Sequence, residues 1–353
     1  MHSNCRGEAF AGGDSFALRV RVRARTQEII MAEKIATRDA YGETLVELGK
    51  ENPDIVVLDA DLSKSTKTNL FNKAFPDRHF NFGVAEANMI STAGGLASCG
   101  KIPFASTFAV FASGRVWDQV RMSVCYPELN VKIVATHGGI TVGEDGASHQ
   151  ANEDIAIMRA LPNITVIVPA DGVETKKAVR AIADYKGPVY MRLGRSGVPV
   201  IFDESYEFIL GKACIVRPGD DVSIFACGIM VAEALEAAES LAAEGISAEV
   251  INISTIKPID VETILGSARK TGCAVSAEEH SIIGGLGSAI ADVLIDAYPV
   301  PMERIGVADT FTESGKPAEL LKKYGLTPAD IASSAKLAIQ HKSRNNRDKQ
   351  ERA

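Results

Sequence analysis

The stretch TVIVPADGVETKKAVRAIADYKGPVYMRLG, residues 165 to 194, decides the fold. Its two ends, TVIVPA and VYMRLG, are short runs rich in apolar and β-branched residues, which predict strands. The middle, GVETKKAVRAIADY, has the apolar spacing of an amphipathic helix. A strand, a helix and a second strand in this order predict two parallel strands in one sheet, with the helix packed on its face.

The same alternation covers residues 31–200, where further strands are predicted at 55–60, 103–108 and 131–137 and further helices at 85–98, 111–124 and 153–161. A stretch without a clear period follows, and we assign residues 201–210 to a linker. Residues 211–342 repeat the pattern, with strands at 221–228, 247–254 and 273–280 and helices at 230–245, 260–272 and 288–298. We therefore expect two α/β domains with mostly parallel sheets, followed by a solvated, charged tail at 343–353.

Composition argues against several classes of protein. The chain has 353 residues and a net charge of -7, which disfavours binding to a nucleic-acid backbone. No apolar run reaches the length of about 18 residues that a membrane helix needs. Six cysteines without CxxC spacing favour a reducing, cytoplasmic compartment. Residues 1–30 lack the apolar core of a signal peptide, and we expect a disordered extension there.

Unusual polar residues fall where the predicted strands end, which is where open parallel sheets bind their ligands. They are Asp59, Asp61, His137, Arg192 and Arg195, with Asp145, Ser148 and His149 in the loop GGITVGEDGASHQ. The glycines of that loop allow main-chain N–H groups to approach a ligand, although they are also typical of a mobile surface loop. Two histidines beside an acidic turn favour a site, because histidine exchanges protons near neutral pH. No HxH, HExxH or cysteine pair indicates a metal site.

Three features allow both a structural and a functional interpretation. Phe108, Phe111 and Trp117 recur at helical intervals, which is typical of a core stripe and also suits a face for a flat heterocycle. Glu86 is the one carboxylate in NFGVAEANMIS, residues 81–91. A buried carboxylate is costly without a partner, so Glu86 either complements a helix N-terminus or meets a ligand. The glycines of IIGGLGSAI, residues 282–290, predict a tight turn from strand to helix, because they lack the spacing of a dinucleotide fingerprint.

Taken together, NFGVAEANM, PFASTFAVFASGRVWDQVR, ATHGGITVGEDGASHQ, LPNITVIVPADGVE and VYMRLGRSGVP resemble the pyrimidine-binding domain of transketolase, a thiamine-diphosphate enzyme. The segment from GKACIVRPGDDVSIFACG onward resembles the C-terminal domain of the same family. The resemblance covers about residues 34–340, with the motifs in the family's order. It implies ketol transfer between sugar phosphates, as in the pentose phosphate pathway.

The resemblance also implies a role for individual residues. Glu86 matches the glutamate that hydrogen-bonds ring nitrogen N1′ of the cofactor and, with His149, is expected to be catalytic. Phe108, Phe111 and Asp61 match residues around the cofactor ring. His149 and Asp145 match residues at the donor hydroxyl groups, and the sugar phosphate is assigned to Arg38, Ser65, His137 and Arg195. The chain departs from the family's usual residues at Ala85, Ala87 and Gly114.

The family binds the diphosphate and its Mg²⁺ through a GDG motif followed by an asparagine, and this sequence contains no such GDG. The resemblance therefore implies a partner, an N-terminal transketolase subunit that supplies those ligands, in a heterotetramer of two heterodimers. Two other interpretations stay open: a related thiamine-diphosphate transferase, such as the deoxyxylulose-phosphate synthase, and a non-catalytic regulatory subunit. The preferred donor and acceptor sugars are not specified by these motifs.

Overall fold

The structure, a computed structural model, describes residues 33–351; the expected extension at residues 1–30 lies outside this range. Across the described range, no helix combines the length and the apolar character needed to cross a membrane. The described residues form two large, mostly parallel sheets and one two-stranded sheet, with helices between the strands, which confirms the predicted α/β fold class. Residues 165–194 form the strand, helix and parallel strand that the sequence predicts.

The first sheet has seven strands in the order β12-β6-β7-β5-β4-β2-β3. Its strands are β2 (Ile55–Asp59), β3 (His79–Asn81), β4 (Ile102–Phe108), β5 (Lys132–Thr136), β6 (Thr165–Ile167), β7 (Val189–Arg192) and β12 (Thr255–Lys257). All its pairs are parallel except β12 with β6, so its strand ends gather along one edge. A small antiparallel pair, β1 (Lys34–Ala36) with β8 (Gly197–Pro199), joins the two ends of this region.

Helices cover both faces of the first sheet. They are α1 (Thr37–Glu51), α2 (Ser63–Thr66), α3 (Asn69–Ala74), α4 (Glu86–Ser98), α5 (Trp117–Gln119), α6 (Asp154–Arg159) and α7 (Gly172–Asp184). On one face, Leu45 of α1 and Val179 of α7 pack with Val57 of β2 in a fully buried cluster. Helix α7 starts at an aspartate cap, because the Asp171 side chain accepts a hydrogen bond from the Glu174 N–H at 2.8 Å.

The second sheet has five strands in the order β14-β13-β10-β11-β9, and only β9 is antiparallel to its neighbour. Its strands are β9 (Cys214–Arg217), β10 (Val222–Ala226), β11 (Ala248–Asn252), β13 (Ala274–Ser281) and β14 (Met302–Val307). The helices of this half are α8 (Met230–Ala243), α9 (Val261–Thr271), α10 (Leu286–Ala297), α11 (Pro317–Lys323) and α12 (Pro328–Glu351).

The two halves share a core rather than touching at a thin interface. Strand β12 comes from the second half of the chain but pairs with β6 of the first sheet. One cluster of buried side chains includes Val168 from the first half and Phe225 and Ile253 from the second. The site on the first sheet is therefore built against the second half.

Two segments differ from the sequence-based prediction. Residues 111–124 were expected to form a regular helix, but wide π-helical turns at Phe111–Arg115 and Val120–Cys125 flank the short α5. Residues 343–353 were expected to form a solvated, charged tail. Ser343, Arg344, Asn345 and Arg347 are exposed, but the segment is helical up to Glu351. Residues 343–351 contain neither glycine nor proline, so nothing ends the helix that Ile331 and Ala335 anchor in the core.

Candidate active site

A cluster of rings lies at the carboxyl ends of β4 and β5. The ring of Phe108, the last residue of β4, stacks on the ring of His137 at a centroid distance of 3.8 Å. Phe111 stacks on Phe108 at 6.0 Å, and His149 meets Phe108 and Phe111 edge-on at 6.1 and 5.5 Å. We call these four residues the aromatic cluster. Trp117 is not part of it: its indole N–H donates to the Ile157 carbonyl at 3.0 Å, and its ring packs against the core.

His137 is held in one tautomer by its two neighbours. Its Nε2 lies 3.3 Å from Arg38 Nη1, and because arginine can only donate, Nε2 must accept. The proton of neutral His137 is then on Nδ1, 2.8 Å from the Thr136 hydroxyl oxygen. Burial, reinforced by Arg38, Arg195 and His149, lowers the pKa of His137 to about 3, so the ring stays neutral at physiological pH.

Two arginines form the basic side of the site. Arg38 Nη1 also donates to the main-chain carbonyl of Ser65 at 3.1 Å, whereas its buried Nε has no partner among the described residues. Burial lowers the pKa of Arg38, with Asp39 opposing this effect and Arg195 adding to it. Arg195 donates to the Val142 carbonyl and lies 3.6 and 3.7 Å from the carboxylates of Glu144 and Asp145. An unpaired buried donor beside a second guanidinium suits an anionic ligand group.

Glu86 has a partner that the sequence did not suggest. The residue begins α4, and its carboxylate is only 3% exposed. Arg115 Nη1 donates to its Oε1 at 2.8 Å, and the same guanidinium lies over the Phe111 ring at 4.3 Å from the ring centre. Arg115 was missed because the two residues are 29 positions apart and no local pattern links them. The charge of the buried carboxylate is thus paired as well as placed at a helix N-terminus.

The first part of the glycine-rich loop is buried and hydrogen-bonded, and the second part is mostly exposed. Ile140, Thr141, Val142 and Gly143 are buried, and the Thr141 N–H donates to Glu279 Oε1 at 2.6 Å. Gly139 has a φ of 78°, and a side chain there would meet the Glu279 carboxylate at 2.2 Å, so only glycine fits. At the exposed end of the loop, Asp145 faces Arg195, and the Ser148 hydroxyl lies 2.9 Å from His149 Nδ1.

Behind this loop lies a buried group that we call the junction network: Tyr190, Arg192, Asp154, Thr141 and Glu279. Arg192 Nε donates to Asp154 at 2.9 Å, and its Nη2 donates to the carbonyls of Ala151 and Glu279 at 3.0 and 2.7 Å. Burial disfavours its charge, but Asp154 and Glu279 raise the pKa of Arg192 overall. Burial also raises the pKa of Glu279. Sequence reasoning placed Arg192 at a strand end but did not identify these partners.

Asp59, the last residue of β2, and Asp61, two residues later, make no hydrogen bond to the aromatic cluster among the described residues. Asp61 is exposed and makes two hydrogen bonds with Asn81. The Asp61 N–H donates to the Asn81 side-chain oxygen at 3.0 Å, and the Asn81 side-chain nitrogen donates to the Asp61 carboxylate at 3.4 Å. Asp59 is buried, and its carboxylate accepts from the Leu62 N–H and from two threonine hydroxyls. Asp59 therefore shapes the turn after β2, and Asp61 is free to meet a ligand only from the solvent side. No group of three or more histidine, cysteine or acidic side chains in residues 33–351 is arranged to hold a metal ion.

Comparison with known proteins gives matches along most of the chain. Residues 33–200 match the family model "transketolase, pyrimidine binding domain", and residues 211–331 match "transketolase, C-terminal domain". A putative transketolase C-terminal section from Methanocaldococcus jannaschii is 55% identical over 84% of this chain and 93% of the relative. A 6-deoxy-6-sulfo-D-fructose transketolase subunit from a Clostridium species is 48% identical over 87% of this chain and 95% of the relative. Among solved structures, a split-gene transketolase described as an inactive β4 tetramer is 57% identical, with a TM-score of 0.82 over 87% of this chain and 99% of that one.

Proposed function

The chain belongs to the transketolase family, and we propose that it is the subunit of a thiamine-diphosphate-dependent transketolase that carries the pyrimidine half of the cofactor site. The enzyme would move a two-carbon ketol unit from a ketose phosphate to an aldose phosphate. The observation that carries the proposal is Glu86, a buried carboxylate linked through Arg115 to the face of Phe111. An aminopyrimidine needs both an acceptor or shared proton at its ring nitrogen and an apolar face for its ring.

The residues present fit that cofactor half. Glu86 would hold a hydrogen bond at ring nitrogen N1′, and Phe108 and Phe111 would line the ring, with Asp61 at the solvent side. When bound, thiamine diphosphate supplies the electron sink for cleavage of the donor carbon–carbon bond. The part of this chain is to orient the ring and to hold a proton at N1′. Glu86 and His149 are therefore our candidates for catalytic residues.

The donor sugar would be held by the polar rim of the aromatic cluster. His149 and Asp145 would contact the hydroxyl groups, and neutral His137, whose Nε2 accepts from Arg38, would belong to the phosphate-binding cluster without adding charge. Arg38 and Arg195, with Ser65 at the edge, would bind the terminal phosphate, since the buried Arg38 Nε has no partner among the described residues. These two arginines also suit a sulfonate, the group in the named substrate of one relative. We propose a ketose phosphate as the donor, and a ketose sulfonate is the main alternative.

We further propose that the diphosphate and Mg²⁺ are held by an N-terminal-type partner subunit, in a heterotetramer of two heterodimers. The relatives that this chain matches over nearly their whole length are named as a C-terminal section and as a subunit, which supports a divided enzyme. None of the five cysteines in residues 33–351 forms a disulfide, which supports work in the reducing cytoplasm.

The test is to co-express the chain with an N-terminal-type transketolase subunit and to measure ketol transfer with Mg²⁺ and thiamine diphosphate. We expect the complex to convert ketose phosphates and the chain alone to be inactive. A parallel assay with 6-deoxy-6-sulfo-D-fructose distinguishes the two donor classes. Turnover by the chain alone would contradict the divided site, and a complex inactive with every ketose donor would contradict the proposed reaction.

A further inference from the structure

One side chain occupies both of the surfaces that we assign to the cofactor ring. Arg115 Nη1 donates to Glu86 Oε1 at 2.8 Å, and its guanidinium carbon lies 4.3 Å from the centre of the Phe111 ring. The guanidinium is planar and carries N–H donors. A protonated aminopyrimidine has the same two properties. It therefore presents to Glu86 and Phe111 the same two features, a donor and a flat face.

Glu86 is buried and Arg115 is half exposed, so breaking the ion pair costs the two residues different amounts of free energy. The Glu86 side chain is 3% exposed, and without a partner its charge is costly in the protein interior. The Arg115 side chain is 48% exposed and can be hydrated as soon as it leaves. Any other donor that satisfies Glu86 can consequently release Arg115 at little cost.

The surrounding backbone leaves space for Arg115 to move. Gly114 precedes it, and a side chain built at Gly114 would meet no described atom within 4 Å, apart from its chain neighbours and the backbone of its own turn. Both residues belong to the wide turn Phe111–Arg115, and Gly114 is one of the positions at which the sequence departs from the family's usual residue. No side chain at position 114 therefore restricts the movement of Arg115.

We propose that Arg115 is a competitor of the cofactor ring: it pairs with Glu86 and covers Phe111, and it must leave both before the aminopyrimidine can bind. This inference rests on the proposed function. In the isolated subunit, Arg115 is the hydrogen-bond partner of Glu86. The cofactor can bind only to molecules in which Arg115 has left the site, so its apparent affinity is reduced to that fraction of the intrinsic affinity. If the guanidinium holds Glu86 in about 90% of molecules, the affinity falls about tenfold.

The first test measures thiamine diphosphate binding, with Mg²⁺, to the complex with the N-terminal-type subunit. Arg115→Met removes the charge and the donors but keeps a side chain of similar length. We expect its dissociation constant to be about 5- to 10-fold lower than that of the wild type. The matched control is Arg121→Met in the neighbouring turn, whose arginine contacts the Met122 sulfur and not Glu86; it should bind as the wild type does. Equal or weaker binding by Arg115→Met would overturn the inference, because Arg115 would then be neutral or would hold the cofactor.

The second test needs neither the cofactor nor the partner. Thermal unfolding of the chain alone is compared for the wild type, Arg115→Met, Glu86→Gln and the double variant. We expect Arg115→Met to lower the melting temperature by about 2–4 °C and to have little further effect once Glu86→Gln has removed the buried charge. Additive effects of the two substitutions would show that the pair is not coupled and would overturn the inference.

The two tests separate this inference from the proposed function. If the wild-type complex does not bind thiamine diphosphate at all, the proposed function fails, and the competition proposed for Arg115 fails with it. If the wild type binds but Arg115→Met does not bind more tightly, only the inference fails.

Discussion

The aromatic cluster lies at the ends of β4 and β5, and the junction network includes the end of β7, but the two regions satisfy their charged groups in opposite ways. In the junction network, the buried Arg192 bonds Asp154 through Nε and two main-chain carbonyls through Nη2, so both nitrogens have fixed acceptors. At the aromatic cluster, Arg115 and Arg195 are 48% and 36% exposed. Buried, multiply bonded charges resist exchange, whereas half-exposed charges can change partners when a ligand arrives.

Arg192 and Arg195 make this difference plain, because they are three residues apart at the end of the same strand. The Arg192 side chain is 6% exposed and points back to β13, where it bonds the Glu279 carbonyl. The Arg195 side chain reaches the loop carboxylates at 3.6 and 3.7 Å, beyond hydrogen-bond distance. We infer that the first arginine serves stability and the second serves binding, and substitutions can separate the two roles.

The largest effect is expected at Arg192. Arg192→Met leaves Asp154 buried, and among residues 33–351 only the Tyr190 hydroxyl, at 2.8 Å, then donates to its carboxylate. Loss of one member of a buried pair should lower the free energy of unfolding by about 3–5 kcal/mol, measured by urea denaturation. The control is Arg180→Met, which removes the surface pairs with Glu47 and Glu51 and should cost no more than about 1 kcal/mol. An equal loss of unfolding free energy in the two variants would show that the buried pair of Arg192 contributes no more to stability than exposed pairs do.

The next effect is on catalysis, at Glu86. Glu86→Ala removes the proposed contact at N1′ and should lower ketol transfer by the assembled enzyme about 100-fold or more. Its unfolding free energy should change far less than that of Arg192→Met, because the Arg115 left behind is half exposed and can be hydrated. Steady-state kinetics and urea denaturation of the same variant test both statements. Near wild-type transfer would remove Glu86 from the mechanism.

A third prediction concerns pH and His137. The folded protein keeps this ring neutral, with a pKa of about 3, while the unfolded chain takes up a proton near the ordinary value of 6.5. The unfolded state therefore binds the extra proton between these values, so stability is lost as the pH falls below 6.5. At pH 5 the loss from His137 alone is about 2 kcal/mol.

The variant His137→Asn tests this without straining the backbone, because His137 has a φ of 60° and asparagine tolerates that region. Between pH 7.5 and pH 5, the variant should lose about 2 kcal/mol less unfolding free energy than the wild type. The comparison at pH 7.5, where both states are neutral at this position, measures the cost of the substitution itself. Identical pH dependence in the two proteins would show that His137 is not held neutral.

Much of the fold and part of the site could be predicted from sequence, because the patterns that encode them are local. Apolar periodicity identified the strands that end at Phe108 and His137, and parallel pairing then brings those ends together. The partners of buried charges could not be found in this way, since Thr141 and Glu279 are 138 positions apart. The π turns of residues 111–125 were also missed, because an apolar stripe does not distinguish a wide turn from a regular helical one.

The smallest effect is expected at Arg195, and it separates binding from stability most directly. Arg195→Ala removes two long, half-exposed carboxylate contacts and one hydrogen bond to the Val142 carbonyl, so the unfolding free energy should fall by about 1–1.5 kcal/mol. If Arg195 binds the terminal phosphate, the Michaelis constant for a phosphorylated donor should rise about tenfold, and that for an unphosphorylated donor should not change. Lys64→Ala, an exposed lysine beside Ser65, is a control for general loss of positive charge. Equal increases for both donors would mean that Arg195 shapes the loop through its bond to Val142 and does not bind the phosphate. Arg195 and Arg192 would then both be structural residues that differ only in how much they stabilise the fold.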